Sequence, residues 1–256
     1  MSTPGMLVLL DSRLFVGGID LSGQGNKIEL DEEWEAKATT NWRSGGAEEV
    51  IAGLGKVKAS AEGQWEAGDA SMVDDAMWAN RRVIEPWSAS GSGESDLTAG
   101  NLMYLTRMLR TKAAIWGTLG DVAGWTADAA GSWPLVRGQS AHPSGVPRTA
   151  TGNGTSLQLG AVADGQHVYA NAHVLSVSGT ATPTVTIAVE SDNDTGFGSA
   201  TARGSFAAKT DADVAAGNGG ESIRIAGPIT DDWWRVTWTI SGTNPSFLFL
   251  VSMGIE

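Results

Sequence analysis

Cysteine is absent from this chain of 256 residues. The absence excludes a disulfide framework and any metal site built from thiolates. Long hydrophobic runs are absent too, since no stretch reaches the roughly 18 apolar residues that a membrane-spanning helix needs. The segment from Met1 to Leu10 has no charged residues ahead of its short apolar run, unlike a secretory signal. These absences predict a soluble protein that is made in a cytoplasm and has no membrane partner.

Basic residues are scarce, because 17 Lys and Arg stand against 29 Asp and Glu, for a formal net charge of -12. A chain this acidic is not expected to bind nucleic acid by neutralising phosphate groups. Its surface could still form a wall that repels DNA. The charge therefore excludes an ordinary nucleic-acid-binding protein.

Glycine is abundant, with 34 residues, against a usual share of about 7%. Together with many Ser, Thr and Val, it favours short strands joined by tight turns. We therefore predict an all-β fold with one short helix. The length suits two domains of about 100–150 residues. The 11 tryptophans are expected to fill cores and interfaces, and stacking against sugars is the alternative.

The segment from Val57 to Trp65 has the clearest strand pattern. Apolar or small residues alternate there with a polar set, as in a strand with one face in water. The polar set consists of Lys58, Ser60, Glu62 and Gln64. Other patterns predict a hairpin of Met6–Leu10 with Leu14–Val16, a short helix over 69–80 and a solvated loop over 88–100. Residues 101–116 are compatible with a helix or a pair of strands, and we favour strands.

An irregular segment runs from Thr39 to Gly53. Loops of this length are commonly functional or disordered, and Trp and Arg are favoured at the centres of interfaces. We interpret it as an arm that docks on a neighbouring subunit; the alternative is a loop folded back on its own core. The contact residues predicted for the arm are Asn41, Trp42, Arg43, Gly45 and Gly46.

The second half of the sequence is more uniformly β. Residues 140–153 contain two prolines and few apolar residues, which predicts a linker. It would separate a domain over 1–139 from a β-sandwich over 154–256. The strands predicted in that sandwich cover 157–162, 166–177, 183–190, 233–240 and 247–251.

No catalytic motif is found in the sequence, so we predict a protein that is not an enzyme and binds no cofactor or metal. His167 and His173 share one strand face, but strand geometry places them about 20 Å apart, too far to share a metal. The segment Asp192–Gly196 resembles the start of a calcium loop, yet no Glu follows at the required spacing, which favours a plain Asx turn. Asp231 and Asp232 precede two tryptophans and are predicted to form an acidic turn before a core strand.

Several segments of the first half resemble the major tail tube proteins of siphophages. They are Phe15–Ser22, Asn41–Gly46 and Gly63–Asp69. Segments of the second half are similar to the additional C-terminal module of such proteins in phages of actinobacteria. They are Ala172–Thr180, Glu190–Asp192 and Gly227–Val236.

The resemblance implies a structural virion protein of the bacteriophage tail. Six copies would form a ring whose inner sheets close into a β-barrel, and rings would stack into a tube. The tube would hold the tape-measure protein, contact tail terminator and tail-tip proteins, and pass DNA without binding it specifically. Thr39–Gly53 would be the stacking arm and the C-terminal domain an outer decoration. That the polar set at 58, 60, 62 and 64 lines the channel is our hypothesis.

Two other classes share this composition. A capsid decoration or host-adhesion protein would also be an acidic β protein rich in Trp, but would not polymerise alone. A carbohydrate-binding module would bind a glycan through Trp233 or Trp234.

Overall fold

The chain is described here by a computed structural model that covers residues 12–41, 43–45, 47–66, 73–78, 80–90 and 97–256. In these ranges nearly all regular structure is β, as the composition predicts. The strands are β1 Leu14–Val16, β2 Ile19–Asp20, β3 Gly25–Ala38, β4 Val50–Gln64, β5 Ile84–Ser90, β6 Leu102–Ile115, β7 Gly124–Gly131, β8 Val136–His142, β9 Gly152–Asn153, β10 Leu157–Gln158, β11 His167–Asp192, β12 Thr201–Ser205, β13 Lys209–Thr210, β14 Gly220–Ala226 and β15 Trp233–Ile255. The two helices are α1 Val73–Trp78 and α2 Asp211–Ala215.

The strands form one continuous antiparallel network. Its main path runs β12-β11-β15-β8-β6-β5-β1-β2, and β7, β4 and β3 extend it from the second half of β6. β4 confirms the alternation read from the sequence. Val57, Ala59 and Ala61 are buried in a cluster with Trp125 and Met108.

Several details differ from the sequence predictions. Helix α1 lies within the segment 69–80 that was predicted to be helical. Residues 69–72 and 79 lie outside the described residues, as does the predicted strand Met6–Leu10. A second helix, α2, was not predicted; Thr210 begins it with a capping box. The loop expected over 88–100 is wrong at its start, because Ser88 and Ser90 belong to β5 and are buried. Hydroxyl groups can enter the core when they find hydrogen-bond partners there.

Strand β6 is one long strand with different neighbours along its length. Its first half lies between β5 and β8, and its second half pairs with β7. Met108 and Leu109 pair with β5 on one side and β7 on the other, so these two neighbours flank opposite edges of β6. This arrangement links the first half of the chain to β8 and, through β8, to the second half.

The second half is dominated by β11 and β15, which pair along almost their whole length. Irregular corners with positive φ lie at 178–182 and 241–245, and the two strands pass them together. The aromatic core of this half includes Trp234, Trp238 and Phe249.

The two halves share buried contacts. Phe15 and Met103 pack with Leu175 and Leu250 in one cluster. Residues 140–142, the start of the predicted linker, belong to β8 and pair with β15. The division into 1–139 and 154–256 stays a prediction, and these contacts indicate that both segments contribute to one folded unit.

Candidate assembly surfaces

A four-strand sheet in the order β3-β4-β7-β6 carries the residues predicted to line a channel. One of its faces packs on the core through Val57, Ala59, Ala127 and Ala129. The other face is polar and open. On it, Lys58 and Gln64 are exposed while Ser60 and Glu62 are half-buried.

The polar face carries charges of both signs. Residues directly opposite each other on paired strands share a face, which places four lysines and five acids there: Lys27, Lys56, Lys58, Lys112, Glu29, Asp31, Glu33, Glu62 and Asp128. Three of the five acids come from β3, and two of the four lysines come from β4. The face is therefore close to neutral, unlike the chain as a whole.

Ion pairs connect these charges across the strands. Lys58 Nζ lies 2.9 Å from Glu33 Oε2, and Lys112 Nζ lies 3.8 Å from Asp128 Oδ2. The hydrogen bond from Lys58 lowers the pKa of Glu33 and raises that of Lys58. Both groups are fully solvated, so the pair orders the face without contributing much stability.

The predicted arm is the end of the β3–β4 hairpin. The backbone hydrogen bond from Thr39 N to Glu49 O closes it, and Asn41 Oδ1 accepts from Arg43 N in an Asx turn. Gly45 has φ +61°, which favours glycine. The described residues of 39–53 are exposed or half-buried, which favours a projecting arm over a loop folded onto its own core. Trp42 and Gly46 lie outside the described residues.

The stem of the arm exposes large apolar side chains that the sequence reading missed. Trp34 on β3 is 58% exposed, and Leu54 on β4 is 75% exposed. Val50 and Ile51 are exposed beside them. The available signal was that these four apolar residues lie among acids and glycines, without the strict alternation of a half-buried strand. An exposed apolar group of this size indicates an interaction surface.

A second apolar projection lies at the opposite end of the same sheet. The turn between β6 and β7 follows Ile115 and exposes Trp116, Leu119 and Val122. Gln64, at the end of β4, pairs with Gly124 beside this turn, whereas the arm lies at the start of β4. Leu54 and Gln64 are ten residues apart on β4, so the two apolar ends are separated by roughly 33 Å at strand rise.

Both outer edges of the four-strand sheet are open in the described part of the chain. β3 pairs only with β4. Residues 110–115 of β6 pair with β7 on one edge. On the other edge β5 begins at Ile84, opposite Leu109, so it does not reach residues 110–115. Unpaired edges offer rows of N–H and C=O groups to another strand.

A buried ion pair supports the open edge of β6. Arg110 Nη2 lies 2.7 Å from Glu85 Oε1, and Arg110 Nη1 donates to the Met77 carbonyl at 2.9 Å. Both side chains are almost completely buried. Burial raises the pKa of Glu85, and the charge and hydrogen bond of Arg110 oppose that rise. The pair ties α1 and β5 to the point where the edge of β6 becomes free.

The histidines serve packing and hydrogen bonding. His173 is fully buried, with Nδ1 donating to the Gly17 carbonyl and Nε2 accepting from Ser88 Oγ at 2.9 Å. His142 Nε2 accepts from Arg148 Nε at 2.7 Å, and Nδ1 donates to the Phe249 carbonyl. Burial lowers the pKa of each ring to about 4. Among the described residues no cluster of acidic or histidine side chains could hold a metal ion.

The other candidate sites of the sequence are structural. Asp192 and Asp194 accept backbone N–H groups, which confirms the Asx turns. Asp231 pairs with Arg203 at 2.7 Å. Trp234 is buried and donates to the Gly160 carbonyl, so it cannot be a sugar platform. None of the described helices has the length and apolar character of a membrane span.

Comparisons with known proteins give distant similarities. No family model matches the chain, and no curated protein does. The tail of an empty gene transfer agent particle, refined with C6 helical symmetry, aligns at 16% identity over 49% of this chain and 92% of that chain, with a TM-score of 0.39. The virion of a native gene transfer agent aligns at 13% identity over 49% and 93%, with a TM-score of 0.38.

The SPP1 Dit protein, described as a paradigm of the hub adsorption apparatus of phages that infect Gram-positive bacteria, aligns at 11% identity. The alignment covers 96% of this chain and 99% of that chain, with a TM-score of 0.33. TM-scores this low do not establish a common fold.

Proposed function

We propose that this chain is a non-enzymatic structural protein of a siphophage tail that assembles into hexameric rings stacked as a tail tube. The observation that carries the proposal is the four-strand sheet with two open edges. β3 and β6 lie antiparallel at its two ends, so rotation about an axis parallel to the strands brings β6 of one copy beside β3 of the next in antiparallel orientation. Repeating this heterologous contact closes a ring and removes both edges.

The stacking of rings is supported by the two apolar ends of the sheet. The arm carries Trp34 and Leu54, and the β6–β7 turn carries Trp116 and Leu119 at the other end. Head-to-tail contact of these ends would bury apolar surface that a single copy leaves in water. Asn41, Trp42, Arg43, Gly45 and Gly46 would then form the contact between rings.

The polar face would line the channel, with Lys58, Ser60, Glu62 and Gln64 at its centre. Because charges of both signs alternate on it, phosphate groups would meet neither a strongly attractive nor a strongly repelling wall. Such a face suits a conduit that passes DNA for genome ejection without retaining it. Tape-measure, tail terminator and tail-tip proteins would be its other partners, and the virion its location.

Deleting Trp42–Gly46 is expected to abolish stacking and leave single rings or monomers. The hydrogen bond between Thr39 and Glu49 can still close the shortened hairpin, so the fold should survive, with the same far-UV circular dichroism. The measurement is negative-stain electron microscopy of the concentrated protein, alone and with tail-tip proteins. Leu54→Ser should have the same effect, and Val146→Ser, at another exposed apolar residue, is the matched control.

Tubes formed by the deletion variant would overturn the role of the arm. A wild-type protein that stays monomeric under both conditions would overturn the tube itself and favour a decoration or host-adhesion protein.

A further inference from the structure

The two open edges of the four-strand sheet carry opposite charges. Residues 28–36 of β3 contain five acids and no base; the acids are Glu29, Asp31, Glu32, Glu33 and Glu35. We name this segment the acidic edge. Apart from Ile28 and Leu30, its side chains are exposed to solvent.

The other edge is basic. Lys112 is exposed in residues 110–115 of β6, and the turn just before β5 contains the exposed Arg81 and Arg82. Arg110 is buried against Glu85 and adds no charge to this edge. Because Ile84 at the start of β5 pairs with Leu109, this turn lies next to the point where the edge of β6 becomes free. We name residues 80–84 and 110–115 the basic edge.

Some of the charges on these edges lack an ion-pair partner among the described residues of one copy, whereas Glu29, Glu33, Glu35 and Lys112 have one. Arg81 and Arg82 are exposed, and neither they nor Glu32 form an ion pair among the described residues. Arg81 is held over the Trp78 ring at 3.9 Å, which orders the guanidinium group at the surface. A surface arginine fixed in this way is well placed for a partner carboxylate.

Apolar side chains flank the charges on both edges. Trp34 is exposed within the acidic edge, and Trp78, Val83 and Ile84 are exposed at the basic edge. An interface commonly combines an apolar centre with charged groups that select the partner. Here the complementary charge and apolar groups belong to the same chain.

We propose that the acidic edge of one copy docks on the basic edge of the next, with Asp31 and Glu32 facing Arg81 and Arg82 across the contact. The inference depends on the proposed ring and adds which surfaces select the neighbour. Each copy would offer one acidic and one basic edge, so the contact is heterologous and two like edges repel each other. This polarity excludes a back-to-back dimer and directs every copy into the same orientation.

Charge reversal of either edge is expected to prevent assembly by itself. Asp31→Lys with Glu32→Lys places two bases at the contact positions of the acidic edge, and Arg81→Glu with Arg82→Glu places two acids at the contact positions of the basic edge. Each variant alone would therefore bring like charges together across the contact. Each should need at least about tenfold more protein than wild type to form rings, since a tenfold change corresponds to about 1.4 kcal/mol per contact and like charges across an interface cost more. Mass photometry and electron microscopy of the full-length chain measure the ring fraction.

An equimolar mixture of the two variants is expected to restore rings at the wild-type concentration. In the mixture every contact can again join a basic edge to an acidic edge, and a ring with an even number of copies closes with the variants alternating. The matched control is Arg137→Glu with Arg224→Glu, which changes the net charge like the base-reversed variant but at exposed positions of β8 and β14. It should assemble like wild type.

Assembly of either reversed variant alone at the wild-type concentration, or a mixture that stays monomeric although both variants keep the native circular dichroism, would overturn this inference and leave the ring intact. A wild-type chain that forms no rings, alone or with tail-tip proteins, would overturn the proposed function and this inference together.

Discussion

Replacing Arg110 with Met is expected to lower the free energy of unfolding by about 3–5 kcal/mol, because it leaves the Glu85 carboxylate buried without its cation. Arg110 and Glu85 are 2.7 Å apart and almost fully buried. The loss is a large share of the 5–15 kcal/mol that stabilises a typical domain. Urea unfolding at pH 7, followed by tryptophan fluorescence in dilute solution, measures it.

The double variant Arg110→Met with Glu85→Met separates the pair from its surroundings. Removing both charges from a buried pair is commonly close to neutral, so the double variant should recover most of the stability that the single variant loses. Arg137→Met, at an exposed position, is the control and should change stability by less than about 0.5 kcal/mol. If the free energy of unfolding of Arg110→Met lies within about 1 kcal/mol of the wild-type value, water or a rearranged side chain must stabilise the buried Glu85 carboxylate.

The chain is expected to lose stability on acidification at pH values well above the ordinary pKa of its carboxylates. Burial lowers the pKa of His142 and His173 to about 4 in the folded state, against 6.5 as the reference. Below pH 6.5 the unfolded chain therefore binds protons that the folded chain does not, and the free energy of unfolding falls until the pH reaches about 4. Between pH 7 and pH 5 each of the two imidazole groups should lower the free energy of unfolding by about 2 kcal/mol, or roughly 4 kcal/mol together.

Histidine variants test the origin of this loss. His173→Gln removes one titrating group, so the difference in stability between pH 7 and pH 5 should shrink by about half, whatever its effect on stability at pH 7. Arg137→Met, at an exposed position, is the control and should keep the full difference.

The pKa of Glu85 is raised in the folded state, so its protonation on acidification increases stability. This contribution is the same in all these variants. An unchanged pH dependence in His173→Gln would contradict the assignment to buried histidines.

The features that support assembly differ in how far they depend on the tertiary structure. The sequence predicted the strand alternation of β4, the projecting segment 39–53 and the mixed polar set at Lys58 to Gln64, because each depends on local patterns of side chains. It could not predict the apolar β6–β7 turn or the basic edge. Trp116 and Arg81 become surface features only when distant strands leave them uncovered.

The burial of polar groups was the other feature that the sequence did not predict. Ser88 and Ser90 were expected in a solvated loop, yet Ser88 accepts and donates hydrogen bonds with His173 and Ser252 across more than 80 residues of sequence. A serine-rich segment has no local signal for partners that distant. The same is true of Arg110, which lies in β6 among apolar residues and finds Glu85 only through strand pairing.

By itself the sequence determined the all-β class, the acidic balance, the absence of thiol chemistry and the position of the arm. These follow from composition and from periodicity over a few residues, because alternate residues of a strand lie on opposite faces of the sheet. The tertiary structure decided which edges stay open, which charges face each other across the sheet and how closely the two halves are joined. Those properties depend on the pairing of strands far apart in the chain, and strand pairing is set by the whole pattern of burial rather than by any local segment.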